Sequence, residues 1–320
     1  MNNLTLAVCM YNAEQYIQKT LQSVIDQSFQ DFDLLIVDDK STDRSAEIAE
    51  AFLEKTGRQH EIVKLEQNQG ICHARHFAER HAQTKYMMFL DADDILLENA
   101  VEKLYAKITS DGDLMAVGCY LDYMDKNGKK IGGGLYLGET TKESFIAKAS
   151  KAKLIFMQPT AIYEREQSLR VGGYEIDGFP DGKPRWRDYC EDLDLWTRMS
   201  DLYAEGKAII VVPEVLCHYR KSTGLSSNSF NMMLKMKYTK SNLKRRRRGE
   251  SNQTFVDFYN SIPETEMAKI KKEASSADNL RNGAFLLKEK KIISGTKLVL
   301  KSIVQNPSYF VDKIKHNLIR

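Results

Sequence analysis

The sequence predicts a mixed α/β domain, with a mainly parallel central sheet flanked by helices, followed by an α-helical C-terminal region. Three observations lead there. The first third alternates short apolar or β-branched runs with segments of helical periodicity, the pattern of successive βαβ units. One of those runs, "KYMMFL" at Lys85–Leu90, is apolar on consecutive residues, as strands covered on both faces are. Beyond "KSTGLSSNS", residues 221–229, the periodicity is helical only. The boundary is expected after residue 228, giving an α/β domain over 1–228 and a basic helical region over 229–320. With 320 residues and 42% hydrophobic content, the chain can fill a core of that kind.

Each element follows from local pattern. "LTLAVCMYN" is the first strand, and in the helix after it Ile17, Leu21, Val24 and Ile25 share one face. Asn12 is its candidate N-cap, with Gln15 three residues on in capping-box spacing. "DFDLLIVDD" is the second strand; Ser41 or Thr42 is placed to cap the next helix and Gly57 to end it. "HEIVKLEQ" is the third strand, "GICHARHFAERHA" its helix, and "KYMMFL" the fourth strand. Further strands are expected at Asp113–Tyr123 and Thr160–Tyr163, separated by the glycine-rich "KNGKKIGGGLYLG", which reads as a turn or flexible loop. "DYCEDLDLWTRMSDLYAEG" reads as a helix ended by Gly206, and "KAIIVVPEVLCHYR" as a strand. In the C-terminal region Met267, Ile270, Ala274, Ala277, Leu280, Ala284 and Leu287 recur at spacings of three and four, as one apolar stripe.

Composition narrows the class. Charged residues make up 28% of the chain, and mean hydropathy is −0.46. Apolar runs such as Ala208–Val212 fall far short of the roughly 20 residues that span a bilayer. The N-terminus lacks the pattern of a signal peptide, so a cytoplasmic protein is expected. Five cysteines, Cys9, Cys72, Cys119, Cys190 and Cys217, are widely spaced and form no metal-ligand pair, which fits reduced, buried thiols. Charge is unevenly distributed. Residues 1–230 hold 27 Lys or Arg and 36 Asp or Glu, whereas residues 231–320 hold 20 and 8.

The acidic half concentrates its charge where it is costly. After the buried "YMMFL" come Asp91, Asp93 and Asp94, at the carboxyl end of a central strand, where open α/β sheets bind ligands. Clustered carboxylates need Arg or Lys partners or a hard divalent cation such as Mg²⁺ or Mn²⁺. A simpler reading is a solvated turn in which Asp93 or Asp94 caps a helix starting near Glu98. The second strand also ends in an acidic pair, Asp38 and Asp39, and "CEDLDLW" adds Glu191, Asp192 and Asp194 at a helix start.

These pieces, in the order "YN", "VDDKSTD", "NQGICHAR", "FLDADD", "GGYEID" and "CEDLDLWTRM", resemble family 2 glycosyltransferases over roughly residues 3–225. The resemblance implies a GT-A fold, Rossmann-like, and a nucleotide-sugar donor, UDP-linked above all, bound across the strand ends. It implies inversion at the sugar's anomeric carbon. Carried onto this chain, it gives Asp39 the nucleotide base, with Tyr11 packed beside it, and Arg75 the base or the phosphates. Asp91 falls on the ribose side and near the metal, Asp93 becomes the main ligand of Mn²⁺ or Mg²⁺, and Asp192 is the general base. Glu191 and Asp194 read as helix-capping acids. Where the family often carries a histidine shortly after "YR" stands Ser222, which leaves His218 as a candidate metal ligand. Trp186 is the candidate sugar-stacking aromatic, Trp196 a core residue, and Gln158 and Thr160 candidate pocket contacts. Lys221–Ser229 reads as a lid over the donor. The acceptor implied is a glycan or a lipid-linked hydroxyl. Two other readings use the same acids: a sugar nucleotidyltransferase, and a nucleotide-sugar-binding protein without catalysis.

The tail contains "LKRRRRGE". A run of five basic residues suits any polyanion, but no nucleic-acid-binding module surrounds it, so nucleic acid is not the expected partner. The remaining readings are a solvated helical face and a peripheral contact with an anionic membrane at its inner face.

Overall fold

The computed structural model describes residues 2–158, 160–221, 225–288 and 290–311. It divides into two compact units, at more places than one boundary near residue 228. The first comprises Met1–Asp177, Cys190–Ser222 and Leu243–Ser251; the second comprises Gly178–Tyr189, Thr223–Asn242 and Asn252–Arg320.

The first unit opens with β1 (Leu4–Met10), α1 (Ile17–Ile25), β2 (Asp33–Asp38), α2 (Ser45–Thr56), β3 (Glu61–Lys64), α3 (Ile71–His81) and β4 (Tyr86–Asp91). β5 (Ile95–Leu96), α4 (Ala100–Thr109), β6 (Leu114–Met124), β7 (Lys130–Leu135), α5 (Lys142–Ala149), β8 (Ala161–Glu164) and α6 (Arg165–Arg170) follow. After the Gly178–Tyr189 segment come α7 (Glu191–Met199) and β9 (Ala208–Arg220). The strands form one sheet in the order β3-β2-β1-β4-β8-β6-β9-β5, with β7 on β6. β1 to β4 are mutually parallel, and β8 alone runs antiparallel between β4 and β6, so β6 and β9 again point the same way as β4.

The expected central strands are central because they are apolar on both faces. All of β1 is buried, as is β4 up to Leu90, and α1 covers one side with Ile17, Leu21 and Val24. Burying each such side chain contributes about 1.5–3 kcal/mol. Gly57 and Gly206 end their segments in the left-handed conformation, which only glycine adopts without strain.

Four local expectations are corrected. Asn12 does not cap α1; its Oδ1 accepts the Thr42 N–H at 2.8 Å, joining the loops after β1 and β2. Neither Ser41 nor Thr42 caps α2. Ser41 turns back to donate its hydroxyl and its N–H to Asp38 at 2.5 and 3.0 Å, and the helix starts at Ser45. The glycine-rich stretch supplies a strand: the Asp125 carboxylate accepts the N–H groups of Asn127 and Lys129, both at 2.9 Å, and closes the turn that lays β7 against β6. The helix over 191–205 stays α-helical only to Met199 and tightens to a 3₁₀ turn over Ser200–Glu205.

The second unit is helical, with the first part of α8 (Ser229–Arg246), then α9 (Phe255–Ser261), α10 (Glu264–Lys288) and α11 (Ile292–Gln305). Its core is aromatic, gathering Trp186, Tyr189, Tyr238, Phe255 and Phe258 around Leu234 and Ile270. The apolar stripe expected on α10 holds only in part. Ile270 and Ala274 are buried, but Ala284 and Leu287 are exposed, and it is Ser276 and Gly283 that face inward.

Candidate active site at the carboxyl edge of the sheet

Parallel register brings the acids together. Cys9 of β1 lies opposite Asp91 of β4, and Met10 opposite Asp38 of β2, so the chain leaves three adjacent strands at one edge. Tyr11, just beyond β1, is 47% exposed and is not a core aromatic. Asp39 is buried. Its N–H donates to the Met10 carbonyl at 2.9 Å, and its carboxylate accepts Asn68 Nδ2 (2.8 Å), Gln69 N–H (2.9 Å) and Gly70 N–H (2.7 Å), shaping the loop that starts α3.

Arg75 is the hub of the edge. It is 2% exposed, donating through Nη2 to Asp91 Oδ1 at 2.5 Å and through Nη1 to Glu191 Oε1 at 2.6 Å. Burial opposes its charge, but Asp91 and Glu191 outweigh burial and hold its pKa well above the ordinary value. The end of β4 is thereby tied to the first turn of α7, where Glu191 lies 116 positions after Arg75. Asp192, the next residue, is partly buried there. Its pKa is raised chiefly by burial, against the pull of Arg75, with Asp91 adding to the rise.

A second arginine fixes the Asp93–Asp94 turn. Arg220, at the end of β9, donates its N–H to Asp94 Oδ1 and its Nε to the Asp93 carbonyl, both at 2.8 Å. Its Nη1 reaches the carbonyls of Asp125 and Lys126 at 2.8 and 3.1 Å, and its guanidinium lies 4.4 Å from the centre of the Tyr16 ring. Asp94 therefore caps no helix; α4 begins at Ala100, after Asn99.

Negative charge at this edge exceeds its compensation. Burial, helped by Asp91, pushes Asp93 up to about 6 although Arg220 pulls it down, and burial raises Asp94 well above its ordinary value. Asp94 Oδ2 is buried with no hydrogen-bond partner. An orphaned carboxylate oxygen beside two further acids fits a divalent cation of the Mg²⁺ or Mn²⁺ class. Among the described residues no group of three or more His, Cys, Asp or Glu forms a ready-made metal cage. That agrees with the habit of these ions, which take one or two carboxylates and complete their shell with substrate phosphates and water.

The family model described as "Glycosyl transferase family 2" matches residues 5–170, just over half of the chain and the whole span from β1 to α6. The chain belongs to glycosyltransferase family 2. Among its relatives, the teichoic acid poly(glycerol phosphate) polymerase of Staphylococcus epidermidis is 40% identical over 116 residues, 36% of this chain and 16% of that protein. An uncharacterized glycosyltransferase of Haemophilus influenzae is 25% identical over 229 residues, covering 71% of this chain and 68% of the relative. The chain thus spans only a small part of the polymerase and about two thirds of the second relative. Staphylococcus aureus TarS 1–349 in complex with UDP superposes at a TM-score of 0.55 with 18% identity, over 99% of this chain and 92% of that one. The Pyrobaculum calidifontis mannosyltransferase in complex with GDP-Man and Mn²⁺ gives 0.56 and 18%, over 99% and 87%. These likenesses show the fold: GT-A, with a C-terminal helical region.

The other residues singled out by sequence take up particular positions. His218 pairs in register with Asp122 of β6 on one side and with Ile95 of β5, the residue after Asp94, on the other; burial lowers its pKa, and the charges acting on it come from Asp122 and Lys130. Trp186 is 9% exposed and stacks on Phe255 at 4.6 Å, a core residue of the helical unit rather than an open sugar platform. Trp196 is in the core, as expected. Gln158 and Thr160 are buried, Gln158 donating to the Leu135 carbonyl at 2.9 Å. Asp194 is structural, bound to Arg198 at 2.9 Å. Ser222 and the centre of the expected lid, residues 222–224, lie outside the described residues. Sequence reasoning missed the roles of Glu191, read as a cap, and of Arg220. For Glu191 a signal existed: an arginine on the inward face of α3 needs a buried acid, and the acid beside Asp192 was available.

The basic run is also resolved into particular contacts. Arg246 and Arg247 each donate Nε to Asp201, at 2.6 and 2.7 Å, while Arg245 and Arg248 meet Glu250 at 3.4 and 2.6 Å. The four arginines are engaged with acids of the α/β unit, Arg246 and Arg247 the most buried of them and Arg248 still 61% exposed.

Proposed function

We propose that this glycosyltransferase moves a sugar, with inversion, from a nucleoside diphosphate donor, UDP-linked, to a hydroxyl of a surface glycan or its lipid-linked precursor. The observation that supports this most is the tie of Arg75 to Asp91 and Glu191, which places Asp192 within electrostatic reach of the strand-end acids. Asp39 and Tyr11 take the nucleotide base, at the neighbouring ends of β2 and β1. Asp91 and Asp93 would hold Mn²⁺ or Mg²⁺, which supplies charge stabilisation to the departing diphosphate. Asp192 accepts the proton of the attacking hydroxyl. Its raised pKa brings it closer to the range in which a general base works best, and such a base typically contributes about 10²–10⁴ in rate. Arg75, buried between two acids, acts by positioning Asp91 and the start of α7 rather than by touching the phosphates. The Staphylococcus epidermidis relative named for teichoic acid synthesis supports a surface-glycan acceptor.

The test is a panel of nucleotide sugars with Mn²⁺, read as thermal stabilisation and slow donor hydrolysis. One donor should raise the melting temperature and release a nucleoside diphosphate. A folded protein that answers to no donor would sink the proposal, and release of pyrophosphate from a sugar phosphate and a nucleoside triphosphate would replace it with nucleotidyl transfer.

A further inference from the structure

The α10–α11 hairpin is built inside out. Where the two helices meet, most of the side chains are small or polar. Ser276 and Ser302 are buried with their hydroxyls 2.8 Å apart, and Asn279 donates to Gln305 at 2.6 Å. A Cβ on Gly283 would lie 2.9 Å from the Gly295 carbonyl, and one on Gly295 equally close to the Gly283 carbonyl, so the backbones touch there. Val299 packs on Gly283 and Leu287 on Gly295 within that seam, whereas most of the other large apolar residues are left outside it. Of the twelve large hydrophobics exposed among the described residues, six fall in this hairpin: Phe285, Leu287, Ile292, Ile293, Leu300 and Val304. Ile293 is 87% and Val304 81% exposed, and with Leu300 they recur at i, i+7 and i+11, one face of α11.

A helix pair that hides serine and glycine and shows isoleucine and valine gains little from water exclusion between its helices. Close small-residue packing with large apolar residues outside is how helices associate where the surroundings are themselves apolar. Charge selects among possible partners. Residues 281–311 hold six Lys or Arg and one acid, and Lys290, Lys291, Lys297 and Lys301 are exposed on the same hairpin as the apolar face. No described helix is long and apolar enough to cross a bilayer. An apolar face bordered by lysines on a helix too polar to cross matches the interfacial zone of an anionic bilayer.

We infer that the α10–α11 hairpin is a membrane-surface anchor, its Phe285, Ile292, Ile293, Leu300 and Val304 face entering the headgroup boundary of an anionic leaflet and its lysines meeting lipid phosphates. This replaces the arginine run, already engaged with Asp201 and Glu250, as the membrane contact. It stands apart from the proposed chemistry, because donor turnover in solution does not require it.

The full chain should be tested by flotation with vesicles of phosphatidylcholine alone and of phosphatidylcholine mixed with phosphatidylglycerol. The comparison variant is the double substitution Ile293→Gln with Val304→Gln, at side chains that make almost no internal contact. The wild type should float with the anionic vesicles, less so in high salt and little with neutral ones. The double variant should bind at least about tenfold more weakly, while its melting temperature and any donor hydrolysis stay unchanged. The inference is overturned if the wild type does not float, if it floats equally on neutral vesicles, or if the double variant floats as well as the wild type. It is also overturned if sedimentation shows a wild-type dimer that the double variant dissociates and that does not bind vesicles, since a second copy would then occupy the face.

Discussion

The strand-end acids and the α10–α11 hairpin invert each other's burial. At the sheet edge, charge is packed inward: Arg75, Asp94 and Arg220 are buried, and each is gripped by partners from distant parts of the chain. On the hairpin, much apolar bulk is turned outward and mainly small groups are enclosed. The difference teaches where each region's free energy goes. At the edge, burial of charge costs stability and is tolerated because it fixes carboxylates in place before any ligand arrives. On the hairpin, unburied area remains available for association.

The largest effect expected at the edge is chemical. Asp192→Asn should keep donor affinity in a titration and lower transfer by about 10²–10⁴ in steady-state turnover. Normal transfer would remove Asp192 as base. Next comes Arg75→Met, which leaves Asp91 and Glu191 without their shared partner. A loss of about 3–5 kcal/mol in denaturant unfolding is expected, partly restored by adding Glu191→Gln. If both single and double variants unfold like the wild type, the buried bridge has no structural weight.

Core and outward positions of the helical unit should diverge by a similar margin. Ile270→Ala should cost about 2–5 kcal/mol, whereas Ile293→Gln should stay within about 0.5 kcal/mol. Equal costs would mean that the hairpin face is covered in the folded chain.

A smaller effect follows from acidity. Burial and Asp91 push Asp93 up from 3.8 to about 6, so between those values the folded protein keeps a proton that the unfolded chain has released. Stability from this site therefore falls as pH rises through that window and is level above it. A divalent cation competes with the same proton, so the Mn²⁺-induced rise in melting temperature should grow from about pH 5 to about pH 7 and then flatten. A shift independent of pH, or its survival in Asp93→Ala, would take Asp93 out of the metal site. Smallest of all, Asp201→Asn should cost about 1 kcal/mol through Arg246 and Arg247 and become less costly in high salt.

What the sequence made legible was whatever repeats or ends locally. Consecutive apolar residues marked β4 as doubly covered, and its last residues placed Asp91 and Asp93 at an edge because parallel strands all exit there. The order of the motifs indicated the family. Lost to sequence were contacts joining remote segments. Arg75 finds Glu191 across 116 positions, Trp186 finds Phe255, and the arginine run finds Asp201, none with a periodic signature. β7 was hidden because its glycines carry no strand propensity; the Asp125 turn and pairing with β6 impose the strand instead. The outward hairpin was hidden for the opposite reason, since its stripe of alanine and leucine on α10 looked like a core face.

The five cysteines, all reduced and buried, give the chain a built-in set of opening reporters. Cys9 sits one strand from Asp91, and Cys190 immediately precedes α7, so these two buried thiols become reachable only when the edge itself opens. A thiol reagent applied to the native protein therefore times local opening without any engineered probe, and a bound donor that braces the edge should slow the labelling of Cys9 and Cys190 more than that of Cys119.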